Sequence, residues 1–245
     1  VSRNVVVTPS VLFGLGLGYM HSSNAHTQLP NYGMNAAVVS LSAQFPTRAY
    51  DPDRHAMLEK DPVDRKKHYF LHVRSGYGWH ELGGTFQPIG GPTWPVYSQS
   101  FALGIIFKQH LKVRMGITHR FYKSFHQDIL KWGVRGFGEN PIAEATNINL
   151  FMGAEFLLGH VGIDIEGGFN VHKPYYREFN HRFEFKQGFE YWRSHYISTR
   201  MGLKYYLITH EKMPRHNVSL GAHINANFGE ADFMDLSLGY TYLIK

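Results

Sequence analysis

Hydrophobic and polar positions alternate with a period of two through most of this chain, the spacing of a strand whose two faces meet different surroundings. The clearest run puts Leu111, Val113, Met115 and Ile117 on one side and Lys112, Arg114, Gly116, Thr118 and Arg120 on the other. The phase returns downstream. Ile148, Leu150, Met152, Ala154 and Phe156 oppose Asn147, Asn149 and Glu155, and Val161, Ile163, Ile165 and Phe169 oppose Asp164, Glu166, Asn170 and His172. Ile197, Met201, Leu203, Tyr205 and Leu207 stand against Ser198, Arg200 and Lys204. Val218, Leu220, Ala222, Ile224 and Ala226 face away from Ser219, His223, Asn225 and Asn227, and Leu236, Leu238, Tyr240 and Tyr242 from Asp235, Ser237 and Thr241. Upstream, strands are read over 67–81 and 98–108, and two further alternating arms over 12–23 and 35–45.

About ten strands, each with one greasy and one polar or charged face, predict an all-β fold: a transmembrane antiparallel β-barrel of the outer membrane. The barrel is expected as a single domain over 1–245, with a hairpin at 12–45, a long polar loop at 46–66 holding a short helical turn near 55–60, and the rest of the wall over 67–245. A soluble barrel would invert the phase, placing charges such as Lys112 and Glu155 outside and crowding large aliphatics within. Lys112, Arg114, Arg120, Arg200 and Lys204 alongside Glu155, Asp164, Glu166 and Asp235 therefore suggest a lumen closed by ion pairs. Tyr19, Trp79, Tyr122, Tyr191, Trp192 and Tyr242 are expected as interfacial aromatics. Residues 82–97, rich in Gly and Pro, read as a loop. With 24–34, 126–145 and 173–187 it makes one end long-looped and thus extracellular, although the 46–66 segment and the turn at 229–230 break that alternation.

Composition narrows the chemistry. Among 245 residues there is no Cys, which removes disulfides, thiol catalysis and Cys-held metals. No apolar run is long enough for a membrane helix. The formal net charge of +6 suits an acidic partner, but no block of like charges and no nucleic-acid motif accompanies it, so nucleic acid is not expected. His72 with His80, and His119 with His126, lack metal-site spacing, and neither metal nor organic cofactor is expected. Gly14, Gly16 and Gly18 precede no helix pattern and read as small inward residues rather than a dinucleotide loop. His223 and Asp235 are expected to pack together inside, and Lys173, Arg177, His181, Arg182 and Lys186 make one loop basic, either as a phosphate cradle or as a solvated surface.

The first hairpin breaks the pattern. Leu15, Leu17, Tyr19, His21 and Ser23 share a face, and antiparallel pairing across the Asn-, Pro- and Gly-containing turn brings Asn35 to the same side. A hydroxyl and an imidazole two residues apart are candidates for nucleophile and general base. On an otherwise apolar, lipid-directed face, polar groups are costly and call for a reason.

The string His21-Ser22-Ser23-Asn24, followed by Pro30-Asn31, Gly33 and Asn35, resembles the signature hairpin of the lipid A 3-O-deacylases, the PagL-like family that includes chains called acyloxyacyl hydrolases. Residues 221–223, 231–235 and 239–240 are similar to its longer, Bacteroidetes-type branch. The resemblance implies His21 as base, Ser23 as nucleophile, Asn24 as part of an oxyanion hole and Asn35 as the group orienting His21. Where the family's best-studied branch carries Glu, this chain has Asn35; an amide accepts the imidazole N–H but adds no charge. The implied activity is removal of an acyl chain from lipid A of lipopolysaccharide in the outer leaflet of a bacterial outer membrane, with further strands upstream of Val1. Two alternatives stay open: an inactive barrel serving as structural subunit of an outer-membrane complex, and a narrow porin.

Overall fold

The structure, a computed structural model, describes residues 2–8, 11–24, 26–45, 67–84, 87–133 and 139–244, so the expected polar loop and helical turn at 46–66 lie outside the described residues. The chain divides into two compact units, one from Val1–Ser23 with Tyr32–Val63, the other from Asn24–Asn31 with Asp64–Lys245.

The first unit holds a three-stranded antiparallel sheet in the order β1 (Ser2–Thr8), β2 (Val11–Ser22), β3 (Met34–Gln44). β2 and β3 pair as their alternation requires, Leu15 opposite Leu41, Leu17 opposite Val39, Tyr19 opposite Ala37 and His21 opposite Asn35. One face carries exposed Leu15, Leu17, Tyr19, Val39 and Leu41; the other carries Gly14, Gly16 and Gly18.

The second unit is a closed barrel of eight strands: β4 (Lys67–Gly84), β5 (Gln87–Phe107), β6 (Leu111–Tyr122), β7 (Thr146–Leu158), β8 (Val161–His172), β9 (Ile197–Tyr206), β10 (His216–Asn227) and β11 (Glu230–Ile244). Each pairs antiparallel with the next, and β11 returns to β4 with Leu236 opposite Tyr77 and Asp235 opposite Gly78. The wall thus closes with eight strands where about ten were expected. Once β11 has paired with β4 the ring has no edge left, and the arms of 12–45 are strands of the separate sheet.

The barrel is inside-out relative to a soluble protein. Met115 is 60% exposed on the outside, whereas Lys112 and Glu155 are 1% and 0% exposed within. Arg114 reaches Asp164 at 2.5 Å, Glu166 at 2.7 Å and Glu155 at 3.3 Å; Lys204 reaches Asp164 at 3.0 Å and Glu155 at 3.1 Å. Arg74 meets Glu166 at 2.8 Å and Arg200 meets Asp235 at 3.2 Å. Eight strands leave a lumen that side chains fill, and here they fill it with neutralised charge. His223 lies opposite Asp235 in register and contacts Asp164 at 3.2 Å, inside as expected. With strands such as β6–β10 at 10 to 13 residues, the wall spans a bilayer core with its apolar side out.

The two ends differ. One has short connections at 108–110 and 159–160. The other carries α1 (Lys123–Trp132), α2 (Pro141–Glu144), α3 (Tyr176–Phe179), a π-helical turn (Asn180–Glu184) and α4 (Gly188–Tyr196), where the sequence reading had loops. α1 turns Phe125, Asp128 and Ile129 inward and ends at Gly133 with φ 55°, the left-handed stop that glycine takes without strain. Phe125, Tyr175, Tyr176, Phe179, Phe183 and Phe233 then cork the barrel mouth, and the Tyr175 hydroxyl and Arg182 converge on Asp128. Tyr122 belongs to this plug rather than to an exterior girdle, donating to Asp232 at 2.6 Å, because position 122 falls on the inward phase of β6. Residues 82–97 are mostly strand, not loop: β5 pairs with β6 only from Val96 onward, so Pro88, Pro92 and Pro95 stand where that side needs no N–H donor.

Candidate functional site

The sheet brings two of the four candidate residues, His21 and Asn35, together. His21 and Asn35 are directly paired, and His21 Nδ1 lies 2.7 Å from Asn35 Oδ1. An amide oxygen only accepts, so this contact puts the imidazole proton on Nδ1 and leaves Nε2 able to take one. The Tyr19 hydroxyl donates to the same oxygen at 2.7 Å, fixing the amide from the other side. Tyr19 is thus part of the site rather than only an interfacial aromatic; its place two residues before His21 on the same face was the available signal. Gly33 holds φ +63°, and a Cβ there would stand 3.0 Å from His21 Cε1, so glycine supplies both the turn and the room for the ring. Ser23 follows the end of β2 and is half-buried.

Asn24 falls in the other unit and organises the turn over 24–31. Its Nδ2 donates to Gln28 O at 2.6 Å, its Oδ1 accepts from His26 N at 3.1 Å, and its backbone N–H donates to Asn31 Oδ1 at 3.2 Å. An amide carries two N–H groups, and Gln28 engages one of them. The turn is fastened to the helical end of the barrel: Leu29 N donates to Glu81 Oε2 at 2.7 Å, Thr93 Oγ1 donates to Thr27 O at 3.1 Å, and His26 stacks on His80 at 5.3 Å.

Of the five basic residues in the 173–186 loop, three are already matched. Lys173 donates to Ser194 O and Asn227 Oδ1, both at 2.8 Å; Arg182 pairs with Asp128; and Lys186 pairs with Glu184 and Glu230. Arg177 and His181 line a cleft of about 880 Å³ beside Tyr191. Among the described residues no group of three or more His, Asp or Glu is arranged to hold a metal ion.

Residues 69–244 match the family model PagL_C, the acyloxyacyl hydrolase C-terminal domain. The chain belongs to that family. The match covers the PagL_C barrel and leaves His21, Ser23, Asn24 and Asn35 outside it. No curated protein matches the chain. Among solved structures, one described as "De novo design of transmembrane beta-barrels" is similar over 76% of this chain and 100% of its own, with 9% identity and a TM-score of 0.34.

Proposed function

We propose that this PagL_C-family protein is an outer-membrane ester hydrolase that removes an acyl chain from lipid A of lipopolysaccharide. The observation that carries the reading is the oriented imidazole: Asn35 Oδ1 holds His21 Nδ1 at 2.7 Å and is itself held by Tyr19. In the proposed reaction His21 Nε2 takes the Ser23 hydroxyl proton as Oγ attacks the ester carbonyl, and Asn24, next in the chain, stabilises the oxyanion with its second amide N–H. The imidazolium returns the proton to the departing sugar oxygen. Water, activated by the same imidazole, then releases the fatty acid. His21 stands on a sheet face that also exposes Leu15, Leu17, Val39 and Leu41, which suits a substrate with acyl chains, and the family's description as acyloxyacyl hydrolases supports ester chemistry.

A second reading, a catalytically inactive barrel within a larger envelope complex, is favoured by the amide at Asn35 where an acid would stabilise the imidazolium. The porin reading gains nothing from a lumen whose charged side chains are shut away from solvent. Mass spectrometry of lipid A from cells with the chain, without it, and with Ser23→Ala decides the matter. Loss of one acyl chain with the unaltered protein alone supports the hydrolase; identical acylation in all three leaves the structural subunit.

A further inference from the structure

The outer wall of the barrel carries a trough of about 800 Å³ across β5 to β9, in the half nearer the helices. Its cause is local. The outward series on β8 runs Val161, Ile163, Ile165, then Gly167, then Phe169, and a Cβ added at Gly167 would meet nothing within 4 Å. The position opposite Gly167 on β9 is Thr199, itself opposite Ala226, so three small residues in register sink the surface. Phe169, Ile197 and Phe228 rim the depression on its helical side.

What stands above that rim gives the trough a polar end. On α4, Phe189, Trp192, Arg193 and Tyr196 fall at i, i+3, i+4 and i+7, one stripe of the helix. Tyr196 stacks on Phe169 at 5.3 Å, Trp192 follows at 5.9 Å, and Phe189 at 5.9 Å beyond it, with Phe189 and Trp192 exposed. Arg193 lies over the Phe228 ring at 5.6 Å, and its buried Nε–H has no hydrogen-bond partner. The aromatic ladder therefore rises from the apolar wall as a helix lying in a membrane interface does, and it carries a guanidinium at headgroup level directly over the trough.

We propose that this trough, lined by residues of the barrel unit alone, is a lipid site: one acyl chain lies along Gly167 while Arg193 takes a phosphate of the same molecule. Charge complementarity favours an anionic lipid, since a guanidinium forks onto phosphate oxygens. The occupant is the phosphorylated, multiply acylated sugar lipid of the function proposed above. That identification rests on that reading, through the leaflet that the helices and the 24–31 turn share.

The test uses the full chain carrying Ser23→Ala, so that binding is read without turnover, in nanodiscs of phosphatidylcholine doped with lipid A or with phosphatidylglycerol, followed by native mass spectrometry of the lipids it retains. The Ser23→Ala protein is expected to retain lipid A. Gly167→Leu, which fills open space on a lipid-facing strand, and Arg193→Gln are each expected to lower retention about tenfold, the loss of one chain contact or one charge-assisted contact. Gly167→Ala, which leaves the trough open, and Arg177→Gln, in the separate cleft, are expected to keep it. Folding of each variant is checked by the gel shift on heating. Unchanged lipid A retention in Gly167→Leu or Arg193→Gln overturns the proposal, as does equal retention of phosphatidylglycerol. Because no hydrolysis is measured, this outcome is independent of whether lipid A loses an acyl chain in cells.

Discussion

At the scale of the residue, everything turns on one amide oxygen. Asn35 Oδ1 accepts from both His21 and Tyr19, so it fixes which imidazole nitrogen carries the proton but brings no negative charge to an imidazolium. Asn35→Glu should therefore raise kcat for fatty-acid release from purified lipopolysaccharide by ~10-fold or more, while Asn35→Ala should lower it by a similar factor with KM little changed. A rate indifferent to both substitutions would remove His21 from the reaction. The sequence exposed this pair because strand alternation and a turn of the right composition put positions 21 and 35 on one face. It did not expose Tyr19 as a partner, since periodicity assigns a face and not a hydrogen bond. The split use of Asn24, whose amide caps its own turn, was equally out of reach, because it depends on where Gln28 and His26 fold back.

Among elements, the 24–31 turn and the helical plug set what can move. The turn is pinned to the barrel by Leu29 N–H on the buried Glu81 carboxylate, a charge-assisted bond of about 1.5–3 kcal/mol. Glu81→Ala should leave the barrel folded yet speed protease nicking within 24–31 several-fold, and on the proposed mechanism it should depress hydrolysis; resistance equal to the unaltered protein would show the pin to be idle. In the plug, burial first and the Lys173 charge second push His195 down from 6.5 to about 4. Burial lowers His26 in the same direction. A depressed histidine is disfavoured in its charged form when folded, so the opened state binds the proton first as pH falls. The plug should hold its full stability above pH 6.5 and lose it progressively toward pH 4, read as faster amide exchange in α4 over that window and no change across neutral pH. His195→Phe should flatten the dependence. None of these helices follows from alternation, since α3, the π-helical turn and α4 are short and are held by aromatic packing in the barrel mouth rather than by intrinsic helix strength.

On the scale of the whole molecule, the lumen is a single electrostatic knot. Arg114 alone joins Glu155, Asp164 and Glu166, all buried. Arg114→Met would remove the cation that the three share, leaving them to Arg74, Arg200 and Lys204, and should destabilise the barrel by about 1.5–3 kcal/mol, measured as a lower urea midpoint for loss of the heat-modifiable gel form. A midpoint equal to that of the unaltered protein would mean the network adds nothing to stability. The alternation of apolar and charged positions already contained the fold class, the inward set of Lys112, Arg114, Arg200 and Lys204 with their carboxylates, and the pairing of His21 with Asn35, because each is a consequence of a two-residue period that any strand must obey. Ring closure was different. Whether β11 meets β4 or another strand depends on backbone hydrogen bonds between segments some 150 residues apart, to which the side-chain pattern of either strand is blind. That long-range pairing alone decided that eight strands make the wall and that the hairpin belongs to a sheet of its own. The trough at Gly167 has the same origin: one glycine in β8 means little until the register sets Thr199 and Ala226 beside it.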